Sequence, residues 1–325
     1  MTFSPFKAAL AAAALSLCLS APSVAQEFKH PVRLIVPFAP GGTSDILARL
    51  ISPKLSEAIG QSVVVENKPG AAGNIGADAV SKARPDGHTL LLMDVGSLAT
   101  APSLFPDLTY NVEKDLAPVG MVMFGPYVLA VNSSVPITSV KEFTDYAKAN
   151  PGKLAVATSG VGAMNHITSI QIAKGLGVEL KMVPYKGGSA ASRAVVSGES
   201  QVIINGATAT LPFVTNKQIT GLAVSGDERV SAVPDLPTFK EAGLAATDAG
   251  TWQGILTTAG TPPEMVARLN SELQKILAMP DVQKTIAEQG GKVHPGTPDE
   301  FKTWLSTNIA SFGTIIRDAG IKVGG

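Results

Sequence analysis

Three times this chain runs from a strand-like stretch through a short turn of small residues into a helical periodicity. The clearest copy stands first. Val32–Phe38 is apolar and β-branched, as expected of a buried strand. Ala39-Pro40-Gly41-Gly42 follows, and Thr43 is placed to cap a helix over about Ser44–Ile59. Leu47, Leu50, Ile51, Leu55 and Ala58 recur there at helical spacing. Pro53 is expected to remove one backbone bond and bend the helix, and Gly60 to end it. The other two copies lie at Thr158–Met164 and Pro184–Ser189.

The front copy leads into a strand at Ser62–Glu66, a helix at Gly73–Ala83 and a strand at Thr89–Met93. Strand, helix, strand, helix, strand opens a parallel, doubly wound α/β sheet. With strand order 2-1-3, the crevice lies between the loops leaving the first and third strands, Ala39–Asp45 and Asp94–Thr100. A second series starts near Tyr127, with strands at Tyr127–Val131, Lys153–Ala157, Glu179–Val183, Gln201–Ile204 and Thr220–Ser225. Helices are expected at Ser139–Ala149, Met164–Leu176 and Ser189–Ser197. Gly226–Ala249, with three breakers, reads as a connection to a strand at Thr251–Thr257. Helices at Pro263–Ala278, Asp281–Gln289 and Pro298–Asp318 close the chain. The pattern implies one domain from both ends, residues 26–125 plus 250–325, and a second, residues 126–249, inserted between hinges near Val122–Tyr127 and Thr247–Gln253.

The N-terminus carries one charge, Lys7, before an apolar run from Ala8 to Leu19 and the small residues Ser23-Val24-Ala25. This is the pattern of a secretory signal cleaved after Ala25. The run is shorter than the roughly 20 residues a membrane span needs. Cys18, the only cysteine, follows Leu17 where a lipoprotein site wants a small residue, so it leaves with the signal. The remaining protein has no thiol for a disulfide or a metal. The formal net charge is +0, and no basic cluster interleaves with aromatics, so nothing points to nucleic acid.

Enzyme signatures are missing: there is no G-x-S-x-G, H-E-x-x-H or phosphate-loop motif. The four histidines, His30, His88, His166 and His294, are not at metal-ligand spacing, and no cofactor is implied. Gly160-Val161-Gly162-Ala163 is half a dinucleotide fingerprint, with Asn165 where the third glycine belongs. The three small-residue turns fit a different chemistry. Free amides at a helix start, with the helix dipole, favour an anion, and Thr43, Ser44, Thr158, Ser159 and Ser189 add hydroxyl donors. Ordinary βα turns would carry glycine and serine as well. A hydrolase or isomerase built on Asp45 and His166 is a further reading, although Asp45 also fits as a brace of the helix start.

The segment 31–45, Pro-Val-Arg-Leu-Ile-Val-Pro-Phe-Ala-Pro-Gly-Gly-Thr-Ser-Asp, resembles the opening of the Bug (TctC) family of solute-binding proteins. Residues 64–76, 85–91, 183–188, 232–238, 241–243 and 260–262 are similar to the family's later motifs, in order, over nearly all of the mature chain. The resemblance implies a two-domain, type II Venus-flytrap fold, a small carboxylate held between the lobes, and delivery to a membrane permease of the tripartite tricarboxylate transporter type. A sensor that presents its ligand to a signalling receptor is the alternative. The protein is expected to act as a monomer in the periplasm, without metal or catalytic residues.

By motif, the resemblance places Phe38, Ala39, Gly42, Thr43, Ser44 and Asp45 on the first wall, with Ser97 beside them. Ser159, Gly162, Ala163, His166, Tyr185, Gly188 and Asn205 approach from the second domain. Relatives often carry Asp where Asn205 stands and near Gln201, so this wall is expected to disfavour an ammonium. Ala163-Met164 makes its loop less polar than is usual and suits a mono- or dicarboxylate with an apolar or aromatic body. Arg193 is a candidate anion partner on a helix face.

Overall fold

The structure, a computed structural model, describes residues 27–321 apart from Thr247; the signal segment with Lys7 and Cys18, and Thr247 of the second expected hinge, lie outside those residues. β1 (Val32–Val36) pairs in parallel with β2 (Val63–Asn67) and with β3 (Thr89–Asp94), in the order β2-β1-β3 read from the sequence. β1 is buried at every position but Arg33, because helices cover both faces of a parallel sheet. One of those helices, α1 (Thr43–Ile59), buries Leu47, Ala48, Ile51, Leu55 and Ile59 along one stripe and runs on through Pro53. Gly60 ends it with φ 71°, a left-handed turn that glycine adopts without strain.

Two helix starts differ from the sequence expectation. Gly42, extended at φ −85° and ψ 171°, occupies the N-cap position, so Thr43 is the first helical residue rather than the cap. Asp94–Thr100 is not a loop: Asp94 caps α3 (Val95–Leu104) by accepting the Gly96 amide at 3.0 Å. The 3-10 turn Ala71–Gly73 and α2 (Asn74–Ser81) complete the crossover between β2 and β3, and the short α4 (Val112–Asp115) leads into β4.

β4 (Leu116–Asn132) joins the two lobes. Its first part pairs antiparallel with β9 (Gly250–Thr258) through Pro126, and with the short β10 (Lys292–Val293). From Tyr127 onward it pairs with β7 (Val202–Gly206) and β8 (Ile219–Val224). β5 (Ala155–Thr158) and β6 (Lys181–Pro184) extend the second sheet in parallel. The second sheet is covered by α5 (Val140–Ala149), α6 (Met164–Leu176), α7 (Gly188–Val196) and α8 (Ala207–Thr215). Returning chain adds α9 (Pro263–Leu277), α10 (Pro280–Glu288) and α11 (Pro298–Ala319) to the first.

The buried apolar residues divide accordingly. Leu34, Ile51, Leu90, Val122, Ile255, Leu269 and Leu273 belong to one cluster on the first sheet. Leu129, Phe143, Val156, Ile172, Ile204 and Phe239 belong to one on the second. A smaller cluster bridges them, bringing Leu104 of α3 and Ile316 of α11 against Met164 and Ile167 of α6. No helix among the described residues is long and apolar enough to cross a membrane.

Candidate functional site

Five helix starts converge between the sheets. Gly42, Thr43 and Ser44 open α1; Asp94 and Ser97 open α3; Ala163 and Asn165 open α6; Gly188 begins α7; Gly206 precedes α8. All of these line one cavity. The space between these walls, including its opening to solvent, is about 410 Å³. The N-caps of α1, α6, α7 and α8 are Gly42, Ala163, Gly187 and Gly206, and none supplies a side-chain cap. The first amides of a helix have no intrahelical acceptor, so these starts present donors and the positive ends of their dipoles. Among the described residues, no lysine, arginine or histidine lines the cavity. An anion placed here would meet backbone and hydroxyl dipoles rather than a cationic side chain.

The side chains on the wall are held by one another. Ser44 Oγ donates to Gln253 Oε1 at 2.7 Å, and Gln253 Nε2 donates to Thr251 Oγ1 at 2.5 Å. Asn165 Nδ2 donates to Ser159 Oγ and to the Ile204 carbonyl, each at 3.1 Å, which ties the α6 start to the end of β7. Asn205 Nδ2 donates to Thr210 Oγ1 at 3.2 Å and lies against Gly188, where a Cβ would come within 2.8 Å of the Asn205 amide. Only glycine permits that approach.

Asp94 is buried, and burial pushes its carboxyl up to about 7 even though the Gly96, Ser97 and Trp252 groups favour its charged form. Asn205 leaves its side of the wall uncharged, as the sequence has it, and a carboxyl, Asp94, stands on the opposite side. Gln201 itself is occupied with the Ala155 amide and the Gly198 carbonyl. Tyr127 also lines the cavity, and its hydroxyl has no hydrogen-bond partner.

Of the residues singled out from sequence, Phe38, Gly42, Thr43, Ser44, Ser97, Ser159, Ala163, Gly188 and Asn205 come together on the cavity wall. Ala39, Asp45, Gly162, His166 and Tyr185 stand behind it. Ala39 N–H donates to the Lys186 carbonyl at 3.0 Å, across the lobes. Asp45 accepts the Gly41 amide at 2.8 Å, Asn67 Nδ2 at 2.9 Å and Arg49 Nε at 3.0 Å. Burial alone would raise the Asp45 carboxyl, and these donors together hold it below its ordinary range. His166 Nδ1 accepts the Gly162 amide at 3.1 Å, and burial lowers its pKa, so the ring is a neutral brace of the α6 start. Asp45 and His166 are thus engaged separately, and the catalytic pairing has no geometric basis. Tyr185 points its hydroxyl to Glu199 and Ser200, each at 3.0 Å. It lines a neighbouring void of about 560 Å³ with Phe38, Phe105 and Lys186. Arg193 is exposed on α7.

Sequence reading missed Asp94, Tyr127, Asn165, Gly206, Thr251 and Gln253. Asp94 in the run Asp94-Val95-Gly96-Ser97 is a helix-start residue, but the buried residues after it show no helical period that would mark a helix there.

The lobes touch across the cavity. Ser189 Oγ donates to the Pro40 carbonyl at 2.8 Å, Thr100 Oγ1 to the Gly162 carbonyl at 3.0 Å, and Met164 N–H to Ser97 Oγ at 3.0 Å. The bridging apolar cluster adds to this seam. The arrangement is a closed one.

Two α/β lobes joined by crossing strands and meeting over a cavity lined with helix starts define a two-domain solute-binding protein. Residues 47–321 match the tripartite tricarboxylate transporter family receptor, TctC, and the chain belongs to that family. It is similar to protein BugT of Bordetella pertussis, 32% identical over 295 residues that cover 90% of each chain. Among solved structures it resembles Rpa4515 of R. palustris with adipate, at 33% identity and TM-score 0.87, covering 90% of this chain and 98% of that one. It also resembles MatC of Rhodopseudomonas palustris with bound malate, at 30% identity and TM-score 0.84, covering 89% and 100%. Family and neighbours are solute-binding proteins, not enzymes.

Proposed function

We propose that this protein captures a small carboxylate in the periplasm by closing its lobes on it, and delivers it to a membrane permease of the tripartite tricarboxylate transporter type. The observation that carries the reading is the convergence of four uncapped helix starts, from both lobes, on one cavity without a cationic side chain. A carboxylate satisfies amides from both lobes at once, and so stabilises the closed state over the open one. The ligands of the two structural neighbours, adipate and malate, favour a mono- or dicarboxylate of modest size. The binding set is Phe38, Gly42, Thr43, Ser44, Ser97, Ser159, Ala163, Gly188 and Asn205, braced by Ala39, Asp45, Gly162, His166 and Tyr185. The lobes divide as residues 26–125 plus 250–325 and residues 126–249. Residues 1–25 are removed as a signal. The cavity is complete within one chain, so a monomer suffices.

Calorimetric titration of the mature chain with dicarboxylates, aromatic acids and amino acids tests the ligand class. Binding of at least one carboxylate, and loss of that binding when the acid is replaced by its methyl ester or amide, is expected. Affinity that survives esterification of every carboxyl group would remove the anion from the reading. Uptake of the bound acid by cells, lost on deleting the gene and restored by the wild-type chain, tests delivery.

A further inference from the structure

We propose that Tyr127 and Asp94 together read a hydroxyl group on the ligand, so that the cavity selects a hydroxycarboxylate over its deoxy counterpart. The inference rests on the carboxylate reading above and deepens it. Tyr127 sits on β4 at the residue where pairing passes from β9 to β7 and β8. It is 1% exposed, it lines the cavity, and its hydroxyl meets no acceptor or donor among the described residues. Buried hydroxyls are nearly always paired, and leaving one unpaired is costly. A partner supplied by the bound molecule accounts for it.

Asp94 faces the same cavity from the end of β3. Two donors meet it with ordinary geometry, one on each oxygen: Gly96 N–H at 3.0 Å and Ser97 Oγ at 3.2 Å. The Trp252 and Ser97 amides also favour its charged form without closing to hydrogen-bond geometry, so of about four lone-pair sites on a carboxylate some acceptor capacity is left. Tyr127 and Asp94 line the same cavity, and burial first, then the charge of Asp94, push the Tyr127 phenol well above its ordinary value, so the phenol keeps its proton.

The pair makes a demand that few groups meet. The Tyr127 hydroxyl has a proton to donate, and Asp94, ionised above its value of about 7, accepts one. A carboxylate between them takes the first and is repelled by the second. An ammonium satisfies Asp94 but leaves the Tyr127 proton unpaired. A hydroxyl does both, accepting from Tyr127 and donating to Asp94.

The test is calorimetry on the mature full chain with matched probes: malate against succinate, mandelate against phenylacetate, and aspartate as the ammonium analogue of malate. At least one hydroxy acid is expected to bind about 10- to 100-fold tighter than its deoxy partner. Tyr127→Phe is expected to bring that ratio near one without lowering the melting temperature, because it removes a hydroxyl unpaired in the free protein. Asp94→Asn, which keeps a side chain able to cap α3, should shrink the ratio as well. Equal affinity within every pair, tighter binding of aspartate than malate, or a preference that survives both substitutions overturns the inference while leaving carboxylate binding in place. Failure of every acid to bind defeats the carboxylate reading, and this inference with it.

Discussion

The helix starts that face the cavity and most of those that face away are built by different rules, α2 after Gly73 being an outward start without a cap. Facing away, α5 is capped by Ser139, whose hydroxyl accepts the Glu142 amide at 3.2 Å. α11 begins with a full capping box between Thr297 and Glu300, and α4 is capped by Asn111. α9 and α10 place a proline in the first turn, where its missing N–H removes an orphan donor. Facing the cavity, α1, α6, α7 and α8 start with glycine or alanine and have no cap from their own N-cap residue, although Ser97 of α3 accepts the Met164 amide of α6 at 3.0 Å. A cap occupies the amides that a ligand would need. Stability is therefore taken where helices meet solvent, and recognition where they meet each other.

Asp94 departs from that rule, since it caps a cavity-facing helix with a charge, and it gives the largest expected effect. The groups around it are the Gly96 amide and Ser97 from α3, the Trp252 amide from β9, and the Tyr127 phenol from β4. From α6, Met164 packs against Gly96, while His166 is turned to the Gly162 amide and kept neutral by burial. Folding raises the Asp94 carboxyl to about 7. Its contribution to stability is then fully present below its unfolded pKa of about 4 and is lost as pH rises through the folded value. The span of about three pKa units corresponds to roughly 4 kcal/mol. Other carboxyls with lowered pKa, such as Asp45 and Glu66, act in the opposite direction, so the readout is a difference. Denaturant unfolding of the ligand-free wild type and of Asp94→Asn, from pH 4 to pH 8, should show the variant gaining on the wild type as pH rises. Parallel profiles would mean that Asp94 stays ionised in the fold.

The next effect separates binding from stability at an uncapped start. Gly42 has an extended backbone, and a Cβ there would meet nothing closer than 3.7 Å, so a side chain fits. Gly42→Asp should change stability by only a few tenths of a kcal/mol, because glycine is itself a fair N-cap. It should weaken carboxylate binding by about 100-fold, since the new carboxylate takes the α1 amides and repels the ligand. Unchanged affinity would show that the α1 start does not hold the anion.

How far the fold could be read in advance depended on how unevenly each element is buried. α6, at Met164–Leu176, has the limits read from sequence, because a small-residue turn precedes it and Gly177 ends it in a left-handed turn. α3 and α8 were not foreseen. Val95 through Ala101 are all buried, as are Ala207 through Leu211, so neither helix shows a polar face, and Pro102 and Pro212 lie inside them. Without a polar face there is no period to detect. The first part of β4 was hidden by Pro118, Gly120, Gly125 and Pro126, which read as breakers; register shifts beside Pro118 and Met121 absorb the irregularity. The cavity wall followed the same division. The starts of α1, α6 and α7 were legible as turns, whereas Asp94 and Gly206 belong to the two helices that had no visible period. Tyr127 carried no local signal, since its role comes from pairing between distant strands.

The smallest effect tests the outward half of the contrast. The Thr297 hydroxyl accepts the Glu300 amide at 3.2 Å, and Glu300 Oε2 accepts the Thr297 amide at 2.7 Å. The backbone donor at Thr297 is the main reason the Glu300 carboxyl lies below its ordinary range. Thr297→Ala removes half of this box and should cost about 1 kcal/mol of stability. No residue of the α11 first turn lines the cavity, so carboxylate affinity should stay at the wild-type value. Unfolding and titration of the same sample measure both quantities. A loss of affinity comparable to the loss of stability would show that outward caps and inward amides are coupled, and that the two sets of helix starts do not have separate tasks.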